Sequence, residues 1–282
     1  MQLHYVECPR DAWQGLTHII PTPAKAAFVQ RLLDAGFRQL DVGSFVSPKA
    51  VPQLADTEAV LAQLSVPEGT DLLTIIANYK GLERALAAPN VTSVGFPLSV
   101  SETFQQRNAK QSLDDAWRLV SSLQEQTQAH RLGLVVYLSM GFGNPYGEPW
   151  EPKDTATAVN RLRALCVSRI ALADTIGSAT AERLEAVLDA VSQPETLGLH
   201  LHARPDDWQE KLRIALEHGI RWFEGALAGV GGCPFAGDAL VGNLPTERVL
   251  PWLAERGYSL KIDKLHQLAE AAVQLSRPFP DS

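Results

Sequence analysis

Short apolar runs alternate with longer stretches whose apolar residues recur at helical spacing, and the alternation repeats along the whole chain. The β-rich runs are 3–8 (LHYVEC), 37–43 (FRQLDVG), 71–77 (DLLTIIA), 93–98 (SVGFPL), 133–140 (GLVVYLSM), 168–173 (SRIALA), 197–202 (LGLHLH) and 221–226 (RWFEGA). Between them the amphipathic spacing predicts helices over 23–35, 51–64, 114–129, 154–165, 180–192 and 206–218. Gly36 and Gly219 each separate a helical pattern from a following strand, the place where a helix end favours a left-handed residue. Eight such units predict an α/β fold: a (β/α)8 TIM barrel forming a single domain over 1–282, with an additional C-terminal helical segment. The alternative is an open doubly wound sheet. Nucleotide-binding sheets of that kind carry a Gly-rich first turn, whereas the first turn here reads CPRDAWQG.

A barrel concentrates chemistry at the C-terminal ends of its strands. The polar residues predicted there are Arg10 and Asp11, Asp41 and Ser44, Asn78, Asp174, and His200 with His202. After the last strand follows a Gly-rich loop carrying Cys233 and Asn243. Alternate residues of a strand share a face, so His200 and His202 can present two imidazoles to one ion. The pair alone also suits two histidines satisfied inside a core. Adding Asp11 and Asn243 makes a set of two imidazoles and two oxygens that fits Mg²⁺, Mn²⁺ or Zn²⁺. Arg10 reads either as half of a surface ion pair or as the group that polarises a carbonyl beside Asp11. Cys233 reads either as buried filler or as a proton donor on a loop over the barrel mouth. Cys8 and Cys166 are assigned packing roles.

Composition narrows the function. The 282 residues are 45% hydrophobic and 20% charged, with a net charge of −7. That balance argues against nonspecific nucleic-acid binding but allows an anionic small substrate held by a local cation. No uncharged stretch reaches membrane-spanning length, and MQLHYVEC lacks the basic and apolar segments of a signal peptide. Three widely spaced cysteines form no disulfide framework, which points to a reducing cytoplasm. The apolar stretch 250–260 (LPWLAERGYSL) suits either a homodimer contact or packing on the barrel.

Several motifs in order resemble one family. PRDAWQ (9–14), GSFVSPKAVPQLAD (43–56), ADTIG (173–177), HLH (200–202), AGVGGCPFA (228–236) and GNLPTE (242–247) are similar to signatures of the 3-hydroxy-3-methylglutaryl-CoA lyases, which belong to the DRE-TIM metallolyases. The resemblance implies a lyase that cleaves 3-hydroxy-3-methylglutaryl-CoA to acetyl-CoA and acetoacetate by retro-Claisen chemistry, a step of leucine catabolism and ketone-body formation. It implies Mg²⁺ or Mn²⁺ on Asp11, His200, His202 and Asn243. Arg10 is implied to stabilise the enolate oxygen, Cys233 to act as acid/base, Asp174 and Glu247 to support the site, and Arg10, Gln14, Asp41 and Ser44 to contact substrate. His200 and Asp11 are the two candidates for the first proton acceptor. A condensing enzyme or 2-keto acid aldolase of the same superfamily, and a non-catalytic acyl-CoA-binding barrel, are the competing readings. The chain departs from the pattern at Cys8, at Asp41 in place of Glu, at Trp13, expected to narrow the pocket or stack on the substrate, and at Ala203 in place of an Asp after the histidines.

Overall fold

The computed structural model describes residues 3–204, 207–231 and 242–277. Its strands are β1 (His4–Glu7), β2 (Gln39–Ser44), β3 (Asp71–Ile75), β4 (Ser93–Ser99), β5 (Gly133–Ser139), β6 (Arg169–Ala173), β7 (Gly198–His200), β8 (His202–Ala203), β9 (Trp222–Gly225) and β10 (Gly242–Asn243). Eight of them, β1 to β7 and β9, close into a parallel barrel, with β9 paired to both β7 and β1. β8 and β10 form a separate antiparallel ribbon. The helices are α1 (Pro9–Gln14), α2 (Thr22–Asp34), α3 (Thr57–Leu61), α4 (Tyr79–Ala87), α5 (Glu102–Ala109), α6 (Leu113–Ala129), α7 (Pro152–Ala164), α8 (Ala181–Ala190), α9 (Trp208–Glu217), α10 (Thr246–Ala254) and α11 (Leu265–Leu275). The last two supply the expected C-terminal helical segment. Among the described residues, no helix is long and apolar enough to cross a membrane.

Strand alternation divides the apolar residues into two cores. In β5, Leu134, Val136 and Leu138 join the large layer between strands and helices, while Val135 and Tyr137 join a small cluster inside the barrel with Leu73 and Ala171. Both faces of each strand are covered, which is why these runs read as nearly continuous apolar stretches. Below this cluster the barrel floor is polar and paired. Arg169 bridges Asp71 at 2.7 Å and donates to Ser93 Oγ at 2.7 Å, and its guanidinium lies over the Trp222 ring. Trp222 fits there because β7 begins with glycine: a Cβ on Gly198 would sit 2.4 Å from the indole.

Two expectations change. The single helix over 51–64 is broken into a 3₁₀ turn, Pro52–Leu54, and α3. Thr57 ends the first piece by donating to Leu54 O, and its hydroxyl also accepts from Ser44 N, so the segment is tied to β2. The predicted strand 197–202 stops at His200, and His202 belongs to the ribbon. Leu250 and Leu253, in the stretch considered for a homodimer, are buried in the chain's own core.

Glu7, at the end of β1, is buried beneath the barrel rim. Its Oε1 accepts from Leu227 N at 2.8 Å, and Thr246 Oγ1 lies 2.6 Å from Oε2. Burial pushes this carboxyl up to about 8 against the two hydrogen bonds that favour the charged form. The folded chain therefore retains a proton between pH 4.5, the ordinary value, and pH 8, where the unfolded chain has released it. That contribution to stability is complete below pH 4.5 and is lost as pH rises through 8. Glu7→Gln, which mimics the neutral acid, should remove a slope of up to about 1.4 kcal/mol per pH unit in this window. Urea unfolding of both proteins at several pH values measures it, and parallel stability curves would refute the assignment. Gly198→Ala should cost about 1–3 kcal/mol by overpacking against Trp222, read in the same unfolding assay.

Candidate active site

α1 starts directly after β1, with Pro9 at its first position, where the missing N–H costs nothing. This places Arg10 and Asp11 in a first turn at the barrel rim. Arg10 Nε donates to Asp41 Oδ2 at 2.9 Å, and Nη2 donates to the same oxygen. Its Nη1 donates to Asp11 Oδ1 at 2.9 Å and to Gln14 Oε1 at 3.0 Å. Gln14 Nε2 donates to Asp11 Oδ1 at 2.7 Å, one helical turn back. Burial opposes the Asp11 charge, but Arg10 foremost, with the two histidines and Asn243, holds the carboxyl down at about 2.

The two imidazoles meet Asp11 from across the mouth. His200 points inward from β7, with Nδ1 3.0 Å from Glu224 Oε2 and Nε2 3.9 Å from Asp11 Oδ2. Burial lowers its basicity, and the Glu224 hydrogen bond and Asp11 more than reverse this. The His202 ring centroid is 5.4 Å from that of His200. Burial and then His200 push the His202 ring down to about 4, so it is neutral at physiological pH. Lys211 of α9 fixes the backbone here, donating to His202 O at 3.0 Å. Asn243 is the register partner of His202 in the ribbon. Its Nδ2 donates to Asp11 Oδ2 at 2.8 Å and to Val230 O at 3.0 Å.

These residues fit a divalent ion. Ligand atoms of Asp11, His200 and His202 all lie within 4.8 Å of one another. Among the described residues, both ring nitrogens of His202 and Oδ1 of Asn243 are buried without a hydrogen-bond partner of good geometry. Buried polar atoms are costly to leave unpaired, and a cation facing them satisfies imidazole and carbonyl donors together. Cys8, His200 and Glu224 are equally close, but there the donors are already engaged with one another and with Tyr137.

The surrounding cavity holds about 180 Å³. Arg10, Asp11, Gln14, Ser44, His200 and His202 line its polar side, and Val46, Ile75 and Phe104 contribute an apolar wall. Asp41 meets the site through Arg10 and is not among the residues lining the cavity. Asp174 is buried behind it: Oδ1 accepts from Ser178 N at 2.7 Å and Ala179 N at 3.0 Å, and Oδ2 has no hydrogen-bond partner among the described residues. Glu247 lies at the start of α10, accepting from Ala228 N at 2.8 Å, and is not brought to the cavity. Asn78 is spent capping α4 through Gly81 N. Cys233 lies outside the described residues.

Three expectations need correction or addition. Trp13 does not narrow the pocket: its side chain is on the outer face of α1, buried against Phe28. Cys166 does not pack: it is exposed, at φ 60°, in the turn after α7. Glu224 and its partner Tyr137 were missed; the available signal was a single acid at an inward position of the apolar run RWFEGA.

Comparison with known proteins identifies a family. The HMGL-like family model matches residues 6–274. The mitochondrial hydroxymethylglutaryl-CoA lyase of Mus musculus is 33% identical over 266 residues, covering 93% of this chain and 81% of its own. A Pseudomonas aeruginosa protein named 3-hydroxy-3-isohexenylglutaryl-CoA/hydroxy-methylglutaryl-CoA lyase is 32% identical, with 95% and 89% covered. The crystal structure of the HMG-CoA lyase from Brucella melitensis superposes with a TM-score of 0.88 at 32% identity, over 96% of each chain. One from Acinetobacter baumannii, in complex with coenzyme A and 3-methylmalate, gives 0.86 at 31% identity, over 98% of this chain and 89% of that one. With its ligand-like donors at the mouth of a closed barrel and this likeness along nearly its whole length, the chain belongs to the HMGL-like family of metal-dependent lyases and is a lyase of the hydroxymethylglutaryl-CoA kind.

Proposed function

We propose that the protein cleaves 3-hydroxy-3-methylglutaryl-CoA, or a close 3-hydroxy acyl-CoA, to acetyl-CoA and acetoacetate. The observation that carries this reading is the meeting of Arg10, Asp11, His200 and His202 at one cavity, with Asn243 hydrogen-bonded to Asp11 beside it. Asp11, His200, His202 and Asn243 would hold Mg²⁺ or Mn²⁺. When bound, the ion supplies Lewis acidity to a substrate oxygen and lowers the pKa of the tertiary hydroxyl.

The chain's own residues supply the rest. The C3 hydroxyl loses its proton to Asp11, or to His200 when its Nε2 is not engaged by the ion, the C2–C3 bond breaks, and its electrons pass to the thioester as an enolate. Arg10, braced on Asp41 and Asp11, offers fixed positive charge to the enolate oxygen, where an interaction strengthens only as the bond breaks. The enolate carbon then takes a proton, from Cys233 in this reading. The products are one ketone and one acetyl thioester, so atoms balance. The apolar wall of Val46, Ile75 and Phe104 also suits a longer C3 branch than methyl, in keeping with the name of the Pseudomonas relative. The reducing compartment inferred from the cysteines agrees with a cytoplasmic location.

Incubation with 3-hydroxy-3-methylglutaryl-CoA and Mn²⁺ should yield acetoacetate and acetyl-CoA by mass. EDTA should abolish this, and Mn²⁺ should restore it. Absence of both products, with the protein folded and metal loaded, refutes the reading. Arg10→Gln should lower kcat by roughly 10²–10³-fold while changing KM little; a loss confined to KM would place Arg10 in ground-state binding instead.

A further inference from the structure

His200 is the residue whose two nitrogens face opposite ways: Nε2 toward Asp11 and Nδ1 toward Glu224. A neutral imidazole carries one proton, and only the bare nitrogen can act as a ligand or base. Which nitrogen is bare therefore decides whether the site works. The barrel answers this through its register. His200 on β7 and Glu224 on β9 are direct neighbours across the parallel pair. Glu224 is 1% exposed, and its Oε2 lies 3.0 Å from Nδ1. The other oxygen accepts from Tyr137 OH, on β5, at 3.1 Å. Tyr137 therefore orients the carboxylate from across the barrel. The Cys8 thiol also faces Oε2, at 4.0 Å.

We propose that Glu224, oriented by Tyr137, is the positioning residue that holds the His200 proton on Nδ1 and presents Nε2 bare to Asp11 and the ion. A carboxylate accepts and cannot donate, so the shared proton belongs to the ring nitrogen. Such a partner outside the ligand set typically changes metal affinity by 10–100-fold. The inference rests on the reading of Asp11, His200 and His202 as ligands only for its consequence; the tautomer belongs to the metal-free protein.

The test uses the whole protein, labelled with ¹⁵N-histidine and free of metal, at a pH where titration shows the ring neutral. Long-range ¹H–¹⁵N correlations should show His200 protonated on Nδ1. In Glu224→Gln the amide N–H can face the ring, and the proton should move to Nε2. Mn²⁺ affinity, measured by electron paramagnetic resonance, should fall 10–100-fold in this variant, and less in Tyr137→Phe, with unchanged circular dichroism. Should Glu224→Gln not fold, Tyr137→Phe carries the test through a mixed tautomer population. Wild-type protein protonated on Nε2, or variants that keep both the wild-type tautomer and Mn²⁺ affinity, would overturn the proposal. Wild-type protein that binds no Mn²⁺ overturns the ligand reading, while the NMR result still decides the tautomer.

Discussion

Closure of the barrel through β9 is the constraint on which the rest of the structure depends. This strand has four residues and pairs on both sides, to β7 and to β1. Each residue has a separate task. Trp222 fills the floor under the Arg169 cation. Phe223 anchors the strand in the outer apolar layer. Glu224 reaches His200. Gly225 leaves room that a side chain would deny, since a Cβ there would lie 2.3 Å from Tyr5 Oη and 2.6 Å from Leu244 O. A shift of one residue would turn Glu224 toward the apolar layer and Phe223 into the polar mouth.

The site is built from charges that are expensive to bury singly. Arg10, Asp11, Asp41, Glu224 and Lys211 are all largely withdrawn from water. An unpaired ion there would cost several kcal/mol, so each is held where its partner is. Arg10 cannot leave Asp41 without stranding it, and it holds Asp11 ionised in the same stroke. The pairing fixes the guanidinium in one position at the cavity wall. The net charge of −7 thus says little about the mouth, where one guanidinium is held among carboxylates and two imidazoles.

The histidines show how two kinds of burial separate similar groups. His200 has a carboxylate on each side and is driven upward; His202, with none in hydrogen-bond contact among the described residues, is driven by burial and by His200 down to about 4. Ala203, where the resembled motif has an acid, turns into the apolar layer. The acid nearest to His200 comes from a different strand.

How much of this was legible follows from what each feature depends on. The eight strands, most helices and the candidates Arg10, Asp11, His200, His202 and Asn243 were readable because alternation, helical spacing and short motifs are local, one-dimensional signals. The break at Pro52–Leu54, the outward turn of Trp13 and the exposure of Cys166 were not, because each is set by the element packed beside it. Glu247 kept its motif position but lies at the loop root, engaged with Ala228 N. By itself the sequence determined the periodicity, the residue types at strand ends and hence the barrel. Tertiary structure alone decided which side chains meet. Asn243 is brought to His202 by a ribbon, and Glu224 to His200 by closure of the cylinder. Contacts between residues far apart in the chain are set by register and packing, and no local pattern encodes them.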